Sequence, residues 1–318
     1  MIIHFFTILC YDFGVILNNL PGGSMFFSID EVQRALEKEK YICDRSLATV
    51  LYLALRLEKP ILLEGEAGVG KTEVAKVMTH AMGRRLIRLQ CYEGLDVSTA
   101  LYEWNYPKQL LRIKMGEASK QPLERVENIF SKEFLIARPL LEAIQSEVAD
   151  QPIVLLIDEV DRSDEEFEAF LLEILSDFQI TIPEIGTIAA KHRPLVIITS
   201  NRTREIHDAL KRRCLYHWID YPSFEKEFRI VTLKVPAIKE TLAGQICQFM
   251  QRVRGKDFYK KPGIAETLDW ANALIHLHKE HLDRGAVEET LGCILKHFED
   301  MKKMKETDLQ SCLSAVSE

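Results

Sequence analysis

The stretch Gly65-Glu66-Ala67-Gly68-Val69-Gly70-Lys71-Thr72 fits the phosphate-binding pattern G-x-x-x-x-G-K-[ST] at every fixed position. Glycines allow a tight backbone path and close approach to phosphate oxygens. Loop N–H groups and a following helix N-terminus favour negative charge. In this pattern Lys71 reaches the β- and γ-phosphates and the Thr72 hydroxyl ligates magnesium. Gly65, Glu66, Ala67, Gly68, Val69 and Gly70 form the cradle. A second chemical feature is the adjacent acid pair Asp158-Glu159. Asp158 is expected to hold Mg²⁺, mostly through water, and Glu159 to polarise an attacking water as general base. Two acids at a strand end could by themselves be solvated turn residues; their pairing with the phosphate loop favours chemistry. Asn201 could orient that water, or be a plain turn residue. In the basic cluster Lys211-Arg212-Arg213, Arg213 is the first choice and Arg212 the second for a guanidinium supplied to a neighbouring subunit's transition state. An ordinary surface ion pair is the alternative.

Alternating α/β elements position these groups. Pro60–Glu64 is a short apolar run ahead of the loop, and Glu73–Met78 opens a helix behind it. Arg85–Gln90 alternates as a second strand. Ile153–Ile157 and Leu195–Thr199 are continuous apolar runs, expected of parallel strands buried on both faces. Tyr216–Ile219 is a shorter fifth. Helical stretches between them predict an α/β fold with a parallel sheet, and in open α/β sheets ligands bind at the carboxyl ends of the strands. Ser28 reads as a helix N-cap with Glu31 as its capping-box partner, and Asp44–Leu57 as an apolar-faced helix. The long segment Cys91–Gln151 exceeds one crossover helix and implies an insertion, with a helix over Phe134–Val148. Ile180–Ile188 predicts a hairpin turning near Glu184 and Gly186. After Pro222 the strand signals stop. Helices follow, with breaks at Pro236, Gly255, Pro262-Gly263 and Gly285. The expected division is 1–24, an extension of uncertain status; 25–222, the α/β nucleotide-binding part; and 223–318, a helical part. Met301–Lys305 is read as a solvated helix end rather than a binding patch.

The chain has 318 residues, 47% of them hydrophobic and 28% charged, as in ordinary globular proteins. A net charge of -7 argues against a generic nucleic-acid or anionic-membrane surface. Seven scattered cysteines form no C-x-x-C pair, which suits a reducing, cytoplasmic setting. No apolar run reaches the roughly 18 residues of a membrane span. Met1–Ser24 is apolar and lacks Lys and Arg. The preferred reading is an upstream extension from start-site choice; a signal peptide or a docking arm are the alternatives.

Together these residues resemble the AAA+ ATPases. Gly65–Thr72 is similar to Walker A and Ile153–Glu159 to Walker B; Asn201 falls at sensor 1 and Arg213 at the trans-acting arginine finger. The resemblance implies an AAA+ P-loop NTPase core with a five-stranded parallel sheet and a smaller all-α lid. Within the superfamily the chain looks like the MoxR branch, with a helix-2 insertion after the second strand and Ile180–Ile188 as its pre-sensor hairpin. Arg88–Asp96, Tyr102–Tyr106 and Lys261–Trp270 resemble the CoxD-like subgroup of carbon monoxide dehydrogenase maturation. The resemblance runs from about residue 25 to about residue 300. One departure is plain: the lid arginine called sensor 2 has no counterpart in Gly263-Ile264-Ala265-Glu266-Thr267, and Arg252 and Arg254 are near but not aligned. By resemblance the expected cofactors are ATP and Mg²⁺. The expected assembly is a homo-oligomer, hexameric in the family. A von Willebrand factor A domain protein and a client enzyme are the expected partners, with neither nucleic acid nor membrane. Three readings compete: a hydrolysing ATPase that remodels a client, a nucleotide-gated assembly scaffold, and a nucleic-acid motor. The first is preferred, and the absence of basic-aromatic interleaving counts against the third. Tyr102 and Trp104 are either a client-contact loop or anchors of the insertion.

Overall fold

The computed structural model describes residues 26–118, 129–145 and 153–314; the Met1–Ser24 expectation lies outside them. Two helices come first, α1 (Ile29–Lys38) and α2 (Arg45–Leu57). Strand β1 (Ile61–Gly65) leads through the glycine loop to α3 (Lys71–Ala81) and β2 (Arg85–Gln90). The insertion holds α4 (Val97–Ala100), β3 (Tyr102–Trp104), α5 (Tyr106–Ala118) and β4 (Leu135–Ala137), and α6 (Pro139–Gln145) returns the chain to the sheet. Then come β5 (Ile153–Asp158), α7 (Glu165–Asp177), the hairpin β6 (Gln179–Ile182) and β7 (Gly186–Ala189), β8 (Leu195–Ser200), α8 (Asp208–Arg213) and β9 (Leu215–Ile219). The C-terminal helical region comprises α9 (Phe224–Lys234), α10 (Glu240–Arg254), α11 (Ile264–His276), α12 (Arg284–Ile294), α13 (Phe298–Lys303), a π-helical turn and α14 (Leu309–Leu313).

The main sheet has the order β2-β5-β8-β1-β9, and every pairing in it is parallel. β1, β5 and β8 are buried along their whole length, which is why their sequences are apolar runs without alternation. Side-chain alternation sends Leu62, Leu155, Ile157, Val196 and Ile198 to one face, against α6 and α7. Ile61, Leu63, Val154, Leu156 and Ile197 face the opposite way, against α1, α2 and α3. A separate core fills the C-terminal helical region around Trp270, whose indole N–H donates to Thr290 Oγ1 at 2.7 Å. That bond resolves the one polar atom a fully buried tryptophan brings with it.

Several sequence expectations need correction. Ser28 does accept from the Glu31 N–H at 3.2 Å, but Glu31 Oε2 accepts from the Phe27 N–H at 2.8 Å, one residue before the cap. The helix expected over Phe134–Val148 starts only at Pro139, because Leu135–Ala137 pairs antiparallel with Tyr102–Trp104; residues 146–148 lie outside the described ones. Gly285 is the second residue of α12 rather than a break, since Asp283 caps that helix by accepting from the Ala286 N–H. Tyr102 and Trp104 are half-buried, edge to face at 6.0 Å, and pack on the core; Trp104 also meets Phe130 at 5.3 Å. They anchor the insertion.

Ile197 sits in the middle of β8 with no exposure, so Ile197→Ala leaves a cavity in the α3 face of the sheet. The expected cost is about 2–5 kcal/mol. It should appear as a lower urea midpoint with an unchanged denaturation slope.

Candidate functional site

Parallel strands end on one edge, and the register decides which residues meet there. Leu63 of β1 lies beside Thr199 of β8, Ile157 of β5 beside Ile198, and Gln90 of β2 beside Asp158. Gly65, Asp158, Ser200 and Gln90 therefore close the same edge. Just past β1 the loop turns through Gly68 and Gly70 at φ +78° and +97°, in the left-handed region that glycine adopts without strain. Gly70 is the N-cap of α3 and Lys71 its first residue.

Asp158 is the hub. Its Oδ1 accepts from Thr72 Oγ1 at 2.9 Å and from Thr199 Oγ1 at 2.5 Å. Its Oδ2 accepts from both Nε and a terminal nitrogen of Arg88, at 3.0 and 2.6 Å. Thr199 Oγ1 also accepts from the Glu159 N–H at 2.9 Å, so one hydroxyl sets both acids. Glu159 has φ +57°, an unusual conformation for a residue with a side chain. Such strain costs on the order of 1–3 kcal/mol and concentrates at functional sites. The Glu159 carboxylate accepts from Asn201 Nδ2 at 3.2 Å, from Gln90 Nε2 at 3.2 Å and from Arg162 Nε at 2.9 Å. Lys71 Nζ donates to the Gly65 and Glu66 carbonyls at 2.8 and 2.6 Å. Burial holds its pKa below the ordinary lysine value, against the pull of Asp161, Glu66, Asp158 and Glu159.

The structure thus brings Gly65–Thr72, Asp158, Glu159 and Asn201 to one edge. Arg213 lies elsewhere, exposed at the end of α8, where it donates to Ser176 Oγ at 2.6 Å and to the Ala209 carbonyl at 3.3 Å. Arg212 is also exposed. Within this chain neither arginine is bonded to the acids. Arg252 donates to the Ser311 carbonyl and Arg254 is buried in the helical region, so neither stands in for the absent lid arginine.

Sequence reasoning missed four members. Gln90 and Arg88 reach the acids only through the β2–β5 register. Arg162 follows Glu159 by three residues, a spacing that could have suggested the pair. Asp161, almost fully buried, accepts from the Asn201 N–H and from the N–H and hydroxyl of Thr203; it fixes the turn that presents Asn201. A third acid so close behind Asp158-Glu159 was the available signal.

Thr72 Oγ1 and Asp158 offer hard oxygen donors of the kind Mg²⁺ takes. Among the described residues no group of three or more His, Cys, Asp and Glu could hold a metal by itself. That donor set suits a cation carried largely by water and phosphate oxygens.

Lys71 also carries a pH prediction. The folded chain holds this proton less tightly than the unfolded chain does, so the buried ion costs stability at neutral pH. The cost falls as pH rises toward the unfolded value of 10.5. Lys71→Met should therefore gain on the nucleotide-free wild type at pH 7, and the gap should narrow by pH 9.5, read by urea denaturation of both proteins.

Residues 60–214 match the AAA domain, dynein-related subfamily. Among solved structures, the Thermotoga maritima RuvB Holliday junction branch migration motor is similar at 16% identity and a TM-score of 0.45, with 90% of this chain and 82% of that chain covered. A point variant of the same protein aligns at 16% identity and a TM-score of 0.47, covering 92% and 83%. The α/β part of this chain, which holds the matched residues, has the AAA+ P-loop fold, with a five-stranded parallel sheet, and a helical region follows it.

Proposed function

We propose that this protein is an AAA+ ATPase that binds Mg·ATP, hydrolyses it, and uses the cycle to remodel or mature a client protein, such as a metalloenzyme. The observation that carries the nucleotide part is the bond from Thr72 to Asp158 beside the phosphate loop, with Glu159 and Asn201 3.2 Å apart next to it. A cleft continues from Val69 and Gly70 of the loop, between Tyr41 and Ile42 on one side and Pro222, Ile264 and Leu268 on the other. Its walls are largely apolar, as a nucleobase requires. In this reading the site residues act as follows. The N–H groups of Gly65–Thr72 and the Lys71 ammonium hold phosphate oxygens. Thr72 and Asp158 would hold Mg²⁺, which when bound neutralises charge between the phosphates. Glu159 takes the proton of the attacking water, and Asn201, bonded to Glu159, orients it.

The client part of the reading rests on the MoxR-like and CoxD-like sequence resemblance. So do a division near residue 222 into core and lid, a hexameric ring, a von Willebrand factor A domain partner and a cytoplasmic setting. One geometric fact favours assembly. Arg213 is exposed and away from its own chain's acids, so its service requires a neighbour. A cyclic head-to-tail interface gives every subunit one.

Glu159→Gln should retain Mg·ATP binding while turnover falls by about 10²–10⁴-fold, the usual share of a positioned acid-base group. Equilibrium binding and phosphate release check this; unchanged turnover sinks the hydrolytic reading. Arg213 has its own test. Arg213→Ala and Glu159→Gln should each be nearly inactive alone, and mixing them should restore turnover if the arginine serves an adjacent subunit. A mixture no more active than its parts rejects the assignment. Turnover that does not respond to any protein partner, with assembly that follows ATP, would favour the scaffold reading instead.

A further inference from the structure

The carbonyl of Gly68, in the middle of the phosphate loop, points at the start of α11. It accepts from the Ile264 N–H at 3.0 Å and from the Ala265 N–H at 3.3 Å. Those two N–H groups belong to the first turn of a helix, which has no partners of its own for them. The approach is as close as backbone permits. A Cβ on Gly263 would fall 2.6 Å from the Gly68 carbonyl carbon, 2.7 Å from its oxygen and 2.8 Å from the Ala67 oxygen, all rigid backbone. Only glycine fits there. Glu266, in the stretch where a lid arginine was expected, turns back to accept from the Gly263 N–H at 2.9 Å and closes the turn.

A buried polar cluster holds this turn from behind. Arg254 donates to the Pro262 carbonyl at 2.8 Å and the Gly263 carbonyl at 3.4 Å. It pairs with both oxygens of Glu227 at 2.6 and 2.7 Å, and Thr267 Oγ1 donates to the same carboxylate at 2.6 Å. Gln251 Nε2 bridges Glu227 Oε2 at 2.8 Å to the Pro222 carbonyl at 2.9 Å, and the Arg254 guanidinium lies over the Tyr221 ring. The cluster therefore joins two places at once: the Tyr221-Pro222 connection between sheet and helical region, and the Pro262-Gly263 turn on the loop. A buried ion pair is a poor source of net stability, but it fixes geometry well.

We propose that the helical region is coupled to nucleotide through the phosphate-loop backbone, with Ile264 and Ala265 clasping the Gly68 carbonyl and Arg254 as the positioning residue that holds the clasp. This rests on the reading that Gly65–Thr72 binds a nucleotide. The peptide joining Gly68 to Val69 is planar and trans, so its N–H points opposite to its C=O. Two donors on the carbonyl hold the Val69 N–H turned away from α11 and polarise it, since linked hydrogen bonds strengthen one another. A loop N–H so fixed is a better donor to an anion. By linkage, an anion on the loop must strengthen the clasp to the same degree.

The test compares Ile264→Pro with Ile264→Ala. Both lose the isoleucine side chain, but only the first loses the N–H, and proline is well tolerated at the first position of a helix. Ile264→Pro should bind Mg·ATP about threefold to tenfold more weakly than Ile264→Ala, the span expected for one hydrogen bond. Equal dissociation constants overturn the inference. Arg254→Lys, which keeps charge for Glu227 but not the fork to two carbonyls, should raise KM more than it lowers kcat; wild-type KM in a folded Arg254→Lys protein counts against the clasp. Hydrogen exchange on the wild type needs no variant to fold: the Ile264 and Ala265 amides should slow on adding Mg·ATP, and unaltered rates there overturn the inference. Wild type that binds no Mg·ATP removes the nucleotide reading and this inference together, whereas binding with an indifferent clasp removes this inference alone.

Discussion

The bond between Thr72 and Asp158 joins residues 86 positions apart, and the candidate site is organised around it. It exists because β8 lies between β1 and β5, all three run parallel, and all three are buried on both faces. A one-residue slip of β5 against β8 would turn its side chains to the opposite face and take Asp158 away from the loop. The apolar strand cores thus do more than stabilise the domain. They hold the register that sets where a hydroxyl and a carboxylate face each other across the edge.

Charge at that edge is arranged in matched sets. Asp158, Glu159 and Asp161 cluster behind the loop, and Arg88, Arg162 and Lys71 lie among them. The partners differ in freedom. Asp158 and Asp161 are almost fully buried and held by several donors each, whereas the side chains of Arg88 and Arg162 are about half exposed. The acids are the fixed frame and the arginines are the parts that can move. Additional negative charge on the loop would draw on Lys71, whose ammonium is hydrogen-bonded to the loop's own carbonyls.

Much of this was legible in the sequence, for a physical reason. Strands buried on both faces must be apolar throughout, so Ile153–Ile157 and Leu195–Thr199 announce themselves. The loop's glycine spacing follows from its backbone path. Gln90 and Arg88 were silent because their partners come from strand register; Asp161 left a trace as a third acid close behind the pair, but its role comes from turn geometry. Gly285 misled because a glycine early in a helix costs little once Asp283 caps it. Glu31 misled because a carboxylate on the first turn has two N–H groups within reach, and here it takes that of Phe27. The clasp on Gly68 was the least visible element of all: its bonds are main chain to main chain, and composition records nothing of them except the glycine at 263.

The two sides of the loop are suited to different signals. Asn201 and Glu159 stand at the ends of β8 and β5, beside the hydroxyl and carboxylate proposed for Mg²⁺, so on that proposal they would respond to the terminal phosphate. The N–H groups of Ile264 and Ala265 bond to the loop backbone, so in the proposed coupling they would respond to anything that stiffens it, whichever phosphates are bound. A lid arginine would have read the terminal phosphate by charge. On the proposed nucleotide reading, with Glu266 in that stretch and Arg254 committed to holding Pro262-Gly263, discrimination between ATP and ADP would fall to the strand-end side. The helical region would then follow loop occupancy.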